Sequence, residues 1–367
     1  MSAATAGVGV IGAGNIATQY LTTLLRCPDV AVRAIADADP DRARDLAARH
    51  GIAALGVDEL LARDDIEVVL NLTHPAAHAE VGHRILAAGK HVWSEKPIAT
   101  DHDAAAGLLA AAERAGLRVA CAPDTVLGAG IQTALRAIAR GDIGEPLTAT
   151  TMVHLPGPES WHPSPEFLYA PGAGPLFDLG PYDVTTLVLA LGPATRVHAV
   201  SSTARATRTI GSGPHAGRTF PVQVPTHHAA LIEFADGRSA QSTFSFQHAL
   251  PRSGFVEVNG TEGTLVLPDP NRFDGTSRLW RYGHDEPVPI PAAGSDHGRG
   301  TGVVELVRAI RAGVPERASG TMAAHVLDIL LAVDRAAATG TAVPVASTVA
   351  VPEPLPEGWD PAERTLG

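Results

Sequence analysis

The sequence predicts two domains of different class: an α/β domain on a parallel sheet, then an α+β domain on a large open, mainly antiparallel sheet. Three observations predict it. Up to residue 122, short strands that are apolar throughout alternate with helices of about 10–15 residues, as in a sheet covered on both faces. Beyond that point strands follow one another and the helices are segregated, the α+β pattern. The length, 367 residues, suits two or three domains at about 150 residues each. The expected domains are 1–122 and 123–367, with 340–367 as an extended C-terminal strap.

Gly7 to Ile11 is an apolar run ended by glycine and followed by a helical face of Ile16, Tyr20 and Leu24. Val30 to Ala36 reads as the second strand. Asp39-Pro40 then opens a helix to Ala48, because Asp caps free N–H groups and Pro suits the first helical position. Ile66 to Leu72 is the next strand, and Pro75 starts a helix that closes at Gly89. His91 to Ser94, a helix over Asp101 to Gly116, and Leu117 to Cys121 complete the alternation.

A helix from Ile131 to Arg140 closes at Gly141. The strands expected after it are Thr148 to Leu155, Arg196 to Ala204, Ala229 to Ala235, Ser239 to Phe246, Gly254 to Asn259 and Thr264 to Leu267. Asp236-Gly237 is a hairpin signal, and Asn259 to Gly263 reads as another turn. One helix, Leu179 to Leu191, interrupts the strands. Two follow them, with Val303, Val304, Val307 and Ile310 on one face and Val326, Leu327, Leu330 and Leu331 on another. The tail from Thr341 has no helical period.

Composition removes several functional classes. The 28 basic against 39 acidic residues give a net charge of −11, whereas nucleic acid and anionic membranes require a basic face. Charged residues at 18% and hydrophobic ones at 45% describe a globular chain rather than a disordered one. Two cysteines exclude a disulfide scaffold and multi-cysteine metal sites. The N-terminal stretch lacks a basic n-region, and no window is apolar enough to span a membrane, so a reducing cytoplasm is expected. The sixteen histidines show no pattern. His74 and His78, spaced i, i+4, share a helical face only if Pro75 does not intervene, and no metal site is expected.

Gly12-Ala13-Gly14-Asn15-Ile16-Ala17 is a G-x-G-x-x-A match between the first strand and first helix, the context that a dinucleotide-binding Rossmann domain requires. Gly12 permits the tight turn, Gly14 lets the backbone approach a pyrophosphate, and the helix N-terminus supplies N–H groups to it. Asp37 ends the second strand 25 residues after Gly12. A carboxylate there accepts hydrogen bonds from both ribose hydroxyls and repels a 2′-phosphate. The expected cofactor is therefore NAD, with NADP disfavoured although Arg42 and Arg44 lie nearby.

Glu95-Lys96-Pro97 lies just beyond the carboxyl end of a strand, the edge where open α/β sheets bind ligands. Taken with the glycine turn and Asp37, it resembles the glucose–fructose oxidoreductase / inositol dehydrogenase (Gfo/Idh/MocA) family. The resemblance extends through Val68 to His78, Ala87 to Pro97, Gly172-Ala-Gly-Pro-Leu-Phe-Asp-Leu-Gly180 and Gly260 to Thr264. It implies that Gly12, Gly14, Asn15 and Ile16 hold the pyrophosphate and Asp37 the adenosine ribose. Thr73 and His74 would lie along the cofactor, Glu95 near the nicotinamide ribose, and Lys96 would reach cofactor and substrate. The family's D-x-G-x-H stretch supplies an aspartate and a histidine to the substrate hydroxyls; here these positions are Asp178 and Tyr182. Tyr182 in place of histidine is one departure, since a phenol with a pKa of about 10 is a poorer base near neutrality. Ala120-Cys-Ala-Pro-Asp124 in place of a polar Asn/Arg stretch is another, and His74 stands where the family often has proline.

Oxidising a secondary alcohol removes a hydride and a proton. A lysine can take that proton once burial and nearby positive charge bring its pKa down from about 10.4. The expected roles are Lys96 as acid/base, Asp178 as orienter and electrostatic partner, and Tyr182 as a substrate or relay group. In a chain with 4% aromatics, Trp161, Phe167 and Tyr169 stand close together, and Trp161 and His162 are expected to line a sugar or cyclitol pocket. The expected activity is NAD-dependent oxidation or reduction at a ring carbon of a sugar, cyclitol, sugar acid or glycoside. The alternatives are an NAD-retaining glycoside hydrolase working by transient oxidation and elimination, and a non-catalytic NAD-sensing regulator. The open second sheet would leave an apolar face uncovered, which favours a homodimer or homotetramer.

Overall fold

The computed structural model describes residues 5–366. Its N-terminal part alternates as expected: β1 (Ala6–Ile11), α1 (Asn15–Leu24), β2 (Val30–Ala36), α2 (Pro40–His50), β3 (Ala53–Ala54), α3 (Val57–Leu61), β4 (Val68–Asn71), α4 (His78–Ala87), β5 (His91–Ser94), α5 (His102–Ala115) and β6 (Val119–Cys121). The strands form one parallel sheet ordered β3-β2-β1-β4-β5-β6. This is the doubly wound order, whose reversal between β1 and β4 opens a crevice at the carboxyl ends of the strands. β1 and β4 are buried along their whole length, which requires helices on both faces. Asp39 and Asp101 cap α2 and α5 by accepting from Asp41 N (3.0 Å) and Ala104 N (2.8 Å). A helix was expected to run from Pro75. Instead Pro75–Ala77 form a separate 3-10 turn before α4.

The second half begins with α6 (Ala129–Ala139), β7 (Pro146–His154), α7 (Gly174–Leu191) and β8 (Ala194–Ser202). A small ribbon of β9 (Thr207–Thr209) and β10 (Thr219–Pro221) follows. Next come β11 (His227–Phe234), β12 (Ser239–Ser245), β13 (Arg252–Gly260), β14 (Gly263–Leu267), β15 (Thr276–Arg281) and β16 (Val288–Pro291). The chain ends with α8 (Thr301–Ala312), α9 (Gly320–Thr339) and β17 (Val343–Pro344). Nine strands form one sheet, β16-β15-β14-β13-β7-β12-β11-β8-β17, in which only β7 and β12 are parallel neighbours. The β11–β12 turn has Asp236 at φ 62 and Gly237 at φ 79, the positive angles that an Asp-Gly hairpin requires. α7 packs on β7, β11 and β12. On the sheet's other face Val200, Leu231 and Trp280 are 65%, 41% and 39% exposed.

The chain divides into two compact units. One holds the described residues to Ala129 together with Ala293–Leu327 and those from Leu355 on; the other holds Gly130–Ala292 and Asp328–Pro354. A single cut after residue 122 is thus too simple, and buried polar contacts explain the return. Asp124 accepts the N–H groups of Gly300 (2.7 Å) and Gly302 (3.1 Å), at the start of α8. Arg308 of α8 pairs with fully buried Asp29 at 2.8 Å, and Asp29 also takes the N–H of Leu366 at 2.9 Å. The C-terminal segment is extended, and Trp359 lies under the Arg308 guanidinium, 5.0 Å from ring centroid to charge.

Candidate active site

The glycine turn is built for close approach. Gly12 has φ +108, and a side chain there would bring its Cβ within 2.5 Å of the Leu72 carbonyl oxygen. At Gly14 the space a Cβ would occupy is open, and α1 begins directly after it with no side chain capping its N–H groups. The loop is held from β2: Asp37 accepts from Ala13 N at 2.6 Å through one oxygen and from Asp39 N at 2.8 Å through the other. An open cradle, uncapped helix N–H groups and a carboxylate at the end of β2 together fit a dinucleotide with an unphosphorylated ribose.

Two loops at the carboxyl ends of β4 and β5 carry further polar groups at this edge of the sheet. Asn71, wholly buried, accepts the Thr73 hydroxyl at 2.6 Å and donates to the His78 carbonyl at 2.8 Å. His78 is buried, with Nδ1 2.6 Å from the Pro97 carbonyl and Nε2 3.0 Å from the Thr73 carbonyl. Burial pushes its pKa down, against both carbonyls. His74 is exposed, so the i, i+4 pair does not share a face: the 3-10 turn at Pro75 separates the two rings.

Glu95 is held on both oxygens. The Tyr20 hydroxyl donates to Oε1 at 2.8 Å and the Lys96 N–H to Oε2 at 3.0 Å, while Trp93 Nε1 donates to the Tyr20 oxygen at 3.1 Å. Burial first, then the charges of Glu95 and Asp124, push the Tyr20 phenol well above its usual range, so it stays a donor. Cys27 and Cys121 are both buried free thiols.

In the second unit Asp178 and Tyr182 lie on α7 one turn apart, hence on one face. The helix starts at Gly174 rather than Leu179, which puts Asp178 inside it. Asp183 faces elsewhere: it is buried, one oxygen has no partner, and burial followed by Asp269 pushes its carboxyl well up. The aromatic loop divides. Trp161 and Phe167 are exposed, each edge-on to His162 at 5.4 Å between centroids. Tyr169 is instead core, packed with Ile210, Phe220 and Phe246, and its hydroxyl donates to Glu159.

The family model for the GFO/IDH/MocA oxidoreductases with an NAD-binding Rossmann fold matches residues 6–122, and the model of that family's C-terminal domain matches 131–266. A dTDP-3,4-didehydro-2,6-dideoxy-alpha-D-glucose 3-reductase from Actinomadura kijaniata is 30% identical, over 78% of this chain and 82% of that protein. The chain belongs to the Gfo/Idh/MocA family. A 1,5-anhydro-D-fructose reductase from Ensifer adhaerens is 28% identical over 92% of this chain and 98% of that protein. Among solved structures, an NAD-binding oxidoreductase from Klebsiella pneumoniae superposes with a TM-score of 0.82 at 26% identity, over 94% of this chain and all of that one (100%).

This Gfo/Idh/MocA chain is thus an oxidoreductase with an NAD-binding domain. No helix among the described residues is long and apolar enough to cross a membrane. Sequence reasoning missed Tyr20, Asn71 and His78 as supports of the site. The one available signal was the apolar-strand ending Val-Val-Leu-Asn71, a single amide in a run otherwise apolar.

Proposed function

We propose that this member of the family interconverts a ring secondary alcohol and ketone of a sugar, cyclitol, sugar acid or glycoside, with Lys96 as acid/base. The observation that carries the reading is the anchored Glu95: its two oxygens are taken by Tyr20 and by the backbone of Lys96, which fixes the base of the lysine at the edge where the sheet takes ligands. NAD, when bound, supplies the hydride acceptor or donor. Lys96 would remove the hydroxyl proton on oxidation and return it on reduction. Asp178 would orient the reacting alcohol and balance the lysine's charge, and Tyr182, Trp161 and His162 would bind the rest of the substrate. The names of the two curated relatives, both reductases of oxidised sugars, favour the ketone-reducing direction.

The test is a screen of NADH oxidation and NAD reduction over keto sugars, inositols, aldoses, sugar acids and glycosides, with NADP in parallel. Lys96→Ala should lose roughly 10²–10⁴-fold in kcat, the usual worth of a positioned acid/base. Near-normal turnover in that variant removes the assignment.

A homodimer or homotetramer is proposed through the uncovered sheet face, where Leu231 sits opposite Gln241 and His198 with Val200 beside them. Burying such a face is what an open sheet requires. Light scattering at micromolar concentration checks it. The two unpaired buried thiols support a reducing, cytoplasmic setting.

A further inference from the structure

Below the aromatic loop, the second unit contains a cavity of about 290 Å³ whose walls include Arg205, Arg208, Gln247, His248 and Pro156. We infer that this cavity is an oxyanion site, taking a phosphate or carboxylate group.

The chain is acidic overall, at −11, yet among the described residues no acidic side chain lines this space. Arg208 is 5% exposed. Its Nη1 donates to Glu159 at 2.6 Å and its Nη2 to the Phe246 carbonyl at 2.8 Å, while Nε is buried without a partner. Glu159 balances the Arg208 charge and is itself bound by Tyr169, so the guanidinium is a fixed, directed wall rather than a mobile cation. Arg205, by contrast, is exposed and forms no ion pair among the described residues. His248 adds an imidazole held in place by stacking on His154, with centroids 3.8 Å apart and rings within 3° of parallel; His227 lies 6.2 Å from it.

A free cation and an oriented imidazole, beside a rigid guanidinium whose own charge Glu159 balances, leave Arg205 as the uncompensated charge of a wall that binds an oxyanion by charge-assisted hydrogen bonds. The volume is close to the lower end of ligand pockets, about 300 Å³, and exceeds what one water requires. Pro156 and Arg208 also brace the segment leading to Trp161 and His162. The anion could therefore be free phosphate or a charged substituent of the substrate; the second source rests on the function proposed above.

Calorimetry with inorganic phosphate, on protein saturated with NAD so that the pyrophosphate cradle is filled, tests the site without requiring turnover. One phosphate should bind per chain, and Arg205→Ala and His248→Ala should each weaken it about tenfold with unchanged melting temperature. Arg208 is left intact because it holds the loop. No binding at millimolar phosphate, or variants that bind it as tightly as the parent, overturns the proposal. The source is read by comparing glucose 6-phosphate with glucose as competitors of phosphate and as substrates. A phosphorylated sugar that binds better than the neutral one, with the advantage lost in Arg205→Ala, assigns the site to the substrate. Phosphate binding with no such advantage assigns it to the free anion. A protein that binds phosphate but turns over nothing in the substrate screen retains the site while the enzymatic reading falls.

Discussion

His78 Nδ1 lies 2.6 Å from the carbonyl oxygen of Pro97. Its other nitrogen reaches the carbonyl of Thr73 at 3.0 Å, so one buried ring ties the loop after β4 to the loop after β5. The first loop carries Thr73 and His74, the second Glu95 and Lys96. Truncation of the ring leaves the half-buried carbonyl that takes its one N–H without a donor, which costs about 1–3 kcal/mol.

His78→Ala should therefore lower stability by that amount and shift both KM for NAD and kcat, because two loops lose a common anchor. His78→Asn, which keeps one donor, should recover part of the loss. Denaturant unfolding with steady-state kinetics reads both effects. A variant destabilised yet unchanged in KM and kcat would make His78 a packing residue only.

Asp37 serves two purposes, binding the glycine turn through Ala13 N and standing where an adenosine ribose would be met. Asp37→Ala should raise KM for NAD about tenfold or more, the worth of a lost charged hydrogen bond. It should also narrow the preference over NADP, because the repelling carboxylate is gone. The gain for NADP stays modest, since Arg42 and Arg44 are engaged with Asp39 and Asp41 on α2. Parallel kinetics with both cofactors decide it; an unchanged NAD/NADP ratio would place specificity elsewhere.

Tyr20 joins Trp93 to Glu95 inside the first unit. Tyr20→Phe removes the donor to Glu95 Oε1 and the acceptor of Trp93 Nε1 without opening a cavity. The expected loss is about 1–3 kcal/mol, together with a weaker kcat if Glu95 then moves the Lys96 backbone. Chemical denaturation and turnover measured on the same preparation separate the two consequences.

What could be read from the sequence was what is local. β1, α1 and the glycine turn announce themselves because the buried strand, the helix start and the special φ of Gly12 all lie within a dozen residues or so. α7 did not, because Gly172 and Gly174 read as breakers although the helix begins at Gly174 itself. β15 and β16, at one end of the sheet, were missed because strands carrying Arg, Ser and Pro lack a clean apolar alternation. The return of α8 to the first unit rests on Asp124 meeting Gly300 and on Asp29 meeting Arg308. Such pairs, far apart in sequence, leave no periodic trace. His78 was weighed only as half of a histidine pair, since its true partners are backbone carbonyls.

Asp124 gives the fold a pH dependence of definite sign. Burial pushes its carboxyl up to about 6, opposed by Arg299 and by the N–H groups of Gly302 and Gly300, with Glu95 adding to the rise. Unfolded, an aspartate titrates near 3.9. Because the folded value is the higher, the contribution of this group is fully present below about pH 4 and is lost as the pH rises through about 6. A shift of about two units corresponds to about 3 kcal/mol. Asp124→Asn keeps an oxygen for Gly300 and Gly302 but cannot ionise. Its stability relative to the parent should therefore rise by up to that amount between pH 4 and pH 7, with most of the change complete by about pH 6.5. Taking the difference cancels the opposite trend of Asp29, whose carboxyl is held below its ordinary value by Leu366, Thr365 and Arg308 against the cost of burial. Thermal melts of both proteins across this range are the measurement, and a difference that stays flat with pH would show that Asp124 does not ionise where its burial says it must.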